Sequence, residues 1–110
     1  MRLPNAENAD LGTKLDEYVL NPLHHEGMHK ARVFESALGI TRSNAEVLRR
    51  ALLDAAARSD RVEWRGDNGF GDVFVLRFPV TTVVGTATVL SAWIVRPEKG
   101  FPRLITCYIV

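Results

Sequence analysis

His29 and Lys30 are adjacent residues whose side chains suit acid–base chemistry, and they lie in a segment, Met28–Leu38, whose apolar spacing predicts a helix. On a helical wheel at about 100° per residue, Lys30 falls inside the apolar sector, which consists of Ala31, Val33, Phe34, Ala37 and Leu38. Arg32 falls on the opposite side. A lysine on a core-facing stripe is costly unless it is paired or opens into a cleft. A lysine that merely extends its ammonium to solvent gives the same pattern.

A second group of polar side chains lies near the C-terminus, where residues 103–109 alternate as a strand does. A period of two places Leu104, Thr106, Tyr108 and Val110 on one face, so that two hydroxyl groups are neighbours. Arg103 begins this strand, and Trp93 lies on the strand before it. Threonine and tyrosine are common strand residues, so this group taken alone favours a structural role.

Taken together, these residue types suit metal-independent cleavage of RNA. In such a reaction we expect His29 to act as the general base that removes the 2′-OH proton. We expect Lys30 to act as a base or an acid, or to stabilise the negative charge of the phosphorane. Thr106 and Tyr108 hold phosphate oxygens. We expect Arg103 to bind substrate by charge and the ring of Trp93 to stack a base. His24 and His25 are adjacent and point in different directions, so no metal site and no cofactor are predicted.

The order of hydrophobic patterns predicts an α+β fold. Helical patterns cover residues 13–20, 28–38 and 43–58, and Ser43 to Glu46 forms a capping box for the last of them. Strand patterns follow over residues 61–65, 72–80, 86–96 and 103–109. We expect one domain over residues 1–110, with a helical part at 1–60 and a sheet at 61–110. About three N-terminal helices then pack on one face of a four-stranded antiparallel sheet.

Composition excludes several classes of protein. The 110 residues carry 14 basic and 13 acidic side chains, so net charge does not predict binding to nucleic acid. The single cysteine, Cys107, excludes an intramolecular disulfide, and we expect it to pack as a small apolar residue. No apolar stretch suits a signal peptide or a membrane span, which favours a cytoplasmic location without membrane partners.

Four stretches, LPNAENA, HKARVF, WIV and PRLIT-x-Y, together resemble a family of small bacterial proteins described as a domain of unknown function, over almost the whole chain. More distantly, the order of elements resembles the ribonuclease fold shared by barnase, EndoU, colicin and RelE-like toxins. That resemblance implies His29, Lys30 and Arg32 as acid–base or phosphate-binding residues. It also implies Thr106 and Tyr108 as phosphate contacts.

Two hypotheses follow. The first is a ribonuclease-like toxin domain that cleaves tRNA or another structured RNA. The second is a non-catalytic interaction module, such as the partner of a small immunity or antitoxin-like protein, in which Lys30 pairs with Asp16 or Glu17. Lys30 in an open cleft with His29, Thr106 and Tyr108 favours the first hypothesis, and a closed ion pair favours the second. In either case the apolar C-terminal strand predicts a possible homodimer.

Overall fold

The computed structural model describes all residues, 1–110, and has an α+β architecture, as predicted. Two α-helices and four strands form it, namely α1 (Met28–Leu38), α2 (Glu46–Arg58), β1 (Glu63–Asp67), β2 (Asp72–Thr81), β3 (Thr86–Val95) and β4 (Pro102–Ile109). The strands form one antiparallel sheet in the order β1-β2-β3-β4. None of the helices is both long enough and apolar enough to cross a membrane.

The helices cover one face of the sheet because alternate strand residues supply an apolar surface. Phe74 and Phe78 of β2 lie opposite Trp93 and Val89 of β3 on this face. The apolar stripes of both helices complete the same core, through Phe34 and Leu38 of α1 and through Leu48, Leu52 and Ala56 of α2. The helical wheel of α1 correctly predicted which apolar residues face the core, with the exception of Val33, which is 45% exposed.

Two helix starts differ from the sequence prediction. The first predicted helix, at 13–20, is a single π-helical turn, Leu15–Val19, closed by the Leu20 N–H, which donates to the Leu15 carbonyl at 2.8 Å. The predicted capping box at Ser43 is also wrong, because a short 3₁₀ turn, Arg42–Asn44, precedes α2. Thr41 caps that turn instead: its Oγ1 accepts the Ser43 N–H at 3.3 Å, and its own N–H donates to Asn44 Oδ1 at 2.7 Å.

A bulge in β4 corrects the predicted face of this strand. Ala92 pairs with Thr106, whereas the next residue of β3, Trp93, pairs with Leu104, so Ile105 is an extra residue. The extra residue reverses the alternation of side chains. Leu104 therefore lies in the core, whereas Thr106 and Tyr108 still share a face.

The outer edge of β4 is partly covered by the N-terminal segment. Asp10 bridges to Arg103 in the parallel sense, and its backbone exchanges hydrogen bonds with Pro102 and Leu104, each at 2.9 Å. This part of the edge is thus unavailable to a second chain. Pairing of two copies, which stays a prediction, is confined to the remainder of β4 or to other surfaces.

Candidate active site at the outer edge of β4

Lys30 is the centre of the candidate site. Its side chain is half-buried, and its Nζ donates a hydrogen bond of 2.6 Å to the hydroxyl of Tyr18. The same Nζ lies 5.7 Å from the centroid of the Tyr108 ring. Lys30 belongs to none of the six ion pairs. The ion pair with Asp16 or Glu17 that we expected for a non-catalytic interaction module is therefore not formed. The positive charge of Lys30 is held by a neutral partner and is not cancelled.

An open cavity brings together three of the four residues that were predicted to be catalytic. His29, Lys30 and Tyr108 line this cavity of about 270 Å³, which we call the Lys30 cavity. The rest of its lining is apolar, from Val33 and Ile109. His29 is exposed, and it stands one residue before Lys30 at the start of α1. A base and a cation therefore border the same space.

Thr106, the fourth predicted residue, lines a larger neighbouring cavity of about 630 Å³. We call it the Tyr18 cavity, and its other lining residues are Thr13, Lys14, Glu17, Tyr18, His24, Glu26 and Ile105. The two cavities are neighbours, because Lys30 of the first donates its hydrogen bond to Tyr18 of the second. The Thr106 hydroxyl is buried and has no partner within the protein. Its hydrogen-bonding capacity is therefore unused within the protein.

Tyr18 and His24 are site residues that the sequence analysis missed. Their rings meet edge to face, with centroids 4.9 Å apart. His24 Nδ1 accepts the N–H groups of Glu26 and Gly27, each at 3.1 Å, so a neutral ring carries its proton on Nε2. A buried tyrosine hydroxyl needs a partner and so does a lysine on an apolar stripe. The sequence could have indicated Tyr18 through this requirement, because the tyrosine hydroxyl and the Lys30 ammonium can serve as each other's hydrogen-bond partner.

Gly27 allows α1 to start directly against the turn that carries Tyr18. A Cβ atom at this position would lie 1.9 Å from the Tyr18 carbonyl oxygen. The connection is also tied to α1 by the Met28 N–H, which donates to the His24 carbonyl at 2.9 Å. The close approach thus sets the distance between Tyr18 and Lys30.

The three predicted substrate-binding residues lie apart from this site. Trp93 is fully buried and its Nε1 donates to Ser91 Oγ at 2.9 Å, so its ring offers no surface to a base, and that assignment is corrected. Arg32 lines a separate cavity of about 90 Å³, as its position on the wheel implied. Arg103 pairs with Asp10 at 3.5 Å and borders a third cavity, described below.

Cys107 lies beneath the site in the core. Burial raises the pKa of its thiol from 9.0 to about 12, and the Lys30 ammonium offsets part of that rise. The thiol is therefore protonated near neutral pH and is not a nucleophile. No three side chains among His, Cys, Asp and Glu are grouped closely enough to hold a metal ion. The side chains that line the two cavities thus supply imidazole, ammonium and hydroxyl groups, together with the carboxylates of Glu17 and Glu26.

A family model described as a domain of unknown function (DUF6883) matches residues 2–110. The match confirms the first resemblance that the sequence motifs indicated, over nearly the whole chain. No curated protein matches the chain. The more distant resemblance to the ribonuclease toxin fold stays a prediction.

Proposed function

This chain belongs to the DUF6883 family, and we propose that it is a metal-independent endoribonuclease of the toxin type, acting on structured RNA in the bacterial cytoplasm. One observation carries the proposal. Lys30 is a half-buried cation without a carboxylate partner, and it borders an open cavity together with His29 and Tyr108. An uncancelled cation beside a potential base is suited to a reaction whose transition state gathers negative charge on phosphate.

The proposed reaction is attack of a ribose 2′-OH on the adjacent phosphorus. The new O2′–P bond forms as the P–O5′ bond breaks, which gives a 2′,3′-cyclic phosphate and a free 5′-OH. His29 accepts the proton of the 2′-OH, and Lys30 donates to a non-bridging oxygen of the phosphorane. The hydroxyls of Tyr18, Thr106 and Tyr108 are donors to the remaining phosphate oxygens. Water or a protonated side chain supplies the proton that the leaving 5′-oxygen takes up.

The test of this proposal is the loss of cleavage when the ammonium of Lys30 is removed. Wild-type protein is expected to cut tRNA-rich total RNA into discrete fragments and to arrest growth of a bacterial host. Lys30→Ala is expected to lower the cleavage rate about 10²- to 10³-fold, the usual cost of one group that stabilises transition-state charge. Tyr18→Phe, which keeps the ring and removes the hydroxyl, should have a smaller effect.

Lys99→Ala is the matched control, because Lys99 is an exposed lysine in the turn between β3 and β4 and lies outside both cavities. Its cleavage rate should equal that of the wild type. Denaturing gels of RNA treated with purified proteins, together with circular dichroism of each variant, give the measurement. Equal fragmentation by wild type and Lys30→Ala would exclude the proposed site.

A second candidate function is a non-catalytic interaction module. The apolar part of the Lys30 cavity favours it, since Val33 is 45% exposed on α1 and lies beside Ile109 and Tyr108. A small cognate protein could bury these side chains and cover Lys30 with a carboxylate. Healthy growth and intact RNA in cells that express the wild-type chain would favour this module over the enzyme.

A further inference from the structure

We propose that a third cavity, next to the Tyr18 cavity, binds one nucleotide of a single-stranded RNA segment. This inference rests on the proposed function and names the part of the substrate that is held beside the reacting phosphate. The cavity, of about 310 Å³, contains Lys14, Arg96 and Arg103 together with the exposed ring of Phe70. We call it the Phe70 cavity. Cations and an aromatic face are the two components that hold a phosphate and a base.

The positive charge of the Phe70 cavity is only partly cancelled. Arg103 faces the carboxylate of Asp10 at 3.5 Å, and no other ion pair involves a lining residue. Arg96 is half-buried, and its Nε is buried without any acceptor in the protein. A guanidinium in this state is under-satisfied, and a phosphate oxygen supplies the acceptor that it lacks. Lys14 adds a second unpaired cation.

Phe70 is held in place, although it is 70% exposed. The side chain of Asn68 accepts the N–H groups of Phe70 and Gly71 at 2.9 and 3.2 Å, which fixes the turn between β1 and β2. Gly71 brings this turn against the end of β3, because a Cβ there would lie 2.9 Å from the Cα of Arg96. Because the backbone beneath it is fixed, this exposed ring loses only its own side-chain freedom when a base stacks on it.

The Phe70 cavity continues into the candidate active site. Lys14 and Ile105 line both the Phe70 cavity and the Tyr18 cavity, and the latter leads to Lys30. A chain of nucleotides can therefore pass from the Phe70 cavity, by way of Lys14 and Ile105, into the Tyr18 cavity, with one base on Phe70 and a later phosphate at Lys30. Stacking on a single exposed ring needs an unpaired base, so the segment that binds here is single-stranded.

The experiment is an anisotropy titration with a fluorescein-labelled single-stranded 2′-O-methyl RNA oligonucleotide, which cannot be cleaved because its 2′-oxygen is blocked. Phe70→Ala is expected to weaken binding about 10-fold, within the range for one stacked base. Arg96→Ala should weaken it severalfold. The matched controls are Val83→Ala, which alters an exposed apolar residue between β2 and β3, and Arg58→Ala, which removes an exposed arginine of α2. Both controls should bind as the wild type does.

Unchanged affinity in Phe70→Ala and Arg96→Ala would overturn the inference. Displacement of the labelled RNA by polyglutamate as effectively as by unlabelled RNA would also overturn it, because polyglutamate has negative charges but no bases. A failure of the proposed function can be distinguished from a failure of this inference. Phe70-dependent binding without cleavage of natural RNA would remove the enzyme and retain this binding site. Cleavage with an unchanged KM in both variants would retain the enzyme and remove this binding site.

Discussion

Lys30 is half-buried, and its hydrogen-bond partner is a hydroxyl rather than a carboxylate. The hydrogen bond to Tyr18 is charge-assisted, and the Tyr108 ring lies within cation–π distance of the same Nζ. Neither partner carries a negative charge, so the ammonium still presents its field to the cavities. An ion pair would have satisfied the lysine equally well but would have left little attraction for phosphate.

Cys107 allows the electrostatics beneath the site to be measured. Burial raises the pKa of its thiol from 9.0 to about 12. Well below pH 9 the thiol is protonated in both the folded and the unfolded protein, so its contribution to the free energy of unfolding is fully present. As the pH rises from about 9 toward 12, the unfolded chain loses this proton before the folded protein does, so the free energy of unfolding falls. Cys107→Ala removes that contribution.

The measurement is urea unfolding of wild type and Cys107→Ala at a series of pH values from neutral to alkaline. The variant has a constant penalty for the smaller side chain, so only the difference in pH dependence matters. We expect the two curves to run parallel below pH 9 and to converge above it. Parallel curves over the whole range would mean that the thiol titrates normally in the folded protein.

The location of a side chain could be predicted from the sequence where it depends on the geometry of a single helix. Lys30 was placed inside the apolar sector of α1, and its side chain is half-buried there. Trp93 was misjudged because β3 is apolar on both faces, so a period of two cannot tell which face the helices cover. Tyr18 was missed because its partner is twelve residues away, and the contact depends on how two elements pack.

The approach of α1 to the Leu15–Val19 turn is the contact that assembles the site at the level of elements. Gly27→Ala would place a methyl group 1.9 Å from the Tyr18 carbonyl oxygen, so the backbone has to move. We expect a loss of about 1–3 kcal/mol in the free energy of unfolding, as for other overpacked positions. Cleavage should fall further than this loss explains, because Tyr18 moves away from Lys30.

Gly66→Ala is unsuitable as a control, because Gly66 has a φ of +93° and its substitution is strained by backbone conformation alone. Ser36→Ala on the exposed face of α1 is a better one, since it changes the same helix without a close contact. Thermal melts and initial cleavage rates at a temperature well below both transitions separate the two effects. Native stability and full activity in Gly27→Ala would show that the contact does not set the site.

The bulge in β4 marks the limit of prediction for elements. Period-two and helical spacing correctly gave four strands, the α+β class and the extent of α1. One extra residue, Ile105, then reversed the alternation and moved Leu104 into the core, while Thr106 and Tyr108 kept their shared face. Nothing in the composition of this strand announces the bulge, because it arises from the pairing with β3 and from the N-terminal segment at Leu104.

Over the whole molecule, the net charge of +1 conceals an uneven distribution. The arginines of α2 are paired within the helix, where Glu46 lies near Arg49 and Arg50 and Asp54 contacts Arg58 at 2.8 Å. Lys14, Lys30 and Arg96, which line the cavities described above, belong to no ion pair. The carboxylates of Glu17 and Glu26 in the Tyr18 cavity offset part of this positive charge, whereas the Phe70 cavity is lined by cations alone among its charged residues and is where a polyanion would bind.

This distribution predicts how RNA binding depends on salt. Phosphate contacts at the three unpaired cations, Lys14, Lys30 and Arg96, should give a plot of log K against log salt with a slope of about −2, since each contact on a single strand contributes roughly −0.7. Lys14→Ala should reduce the slope by one such step, whereas Arg58→Ala, which removes the same charge from α2, should leave it unchanged. The non-cleavable oligonucleotide titrated at several salt concentrations gives these slopes. Equal flattening by both variants would mean that RNA responds to the net charge of the protein and not to the cations that line these cavities.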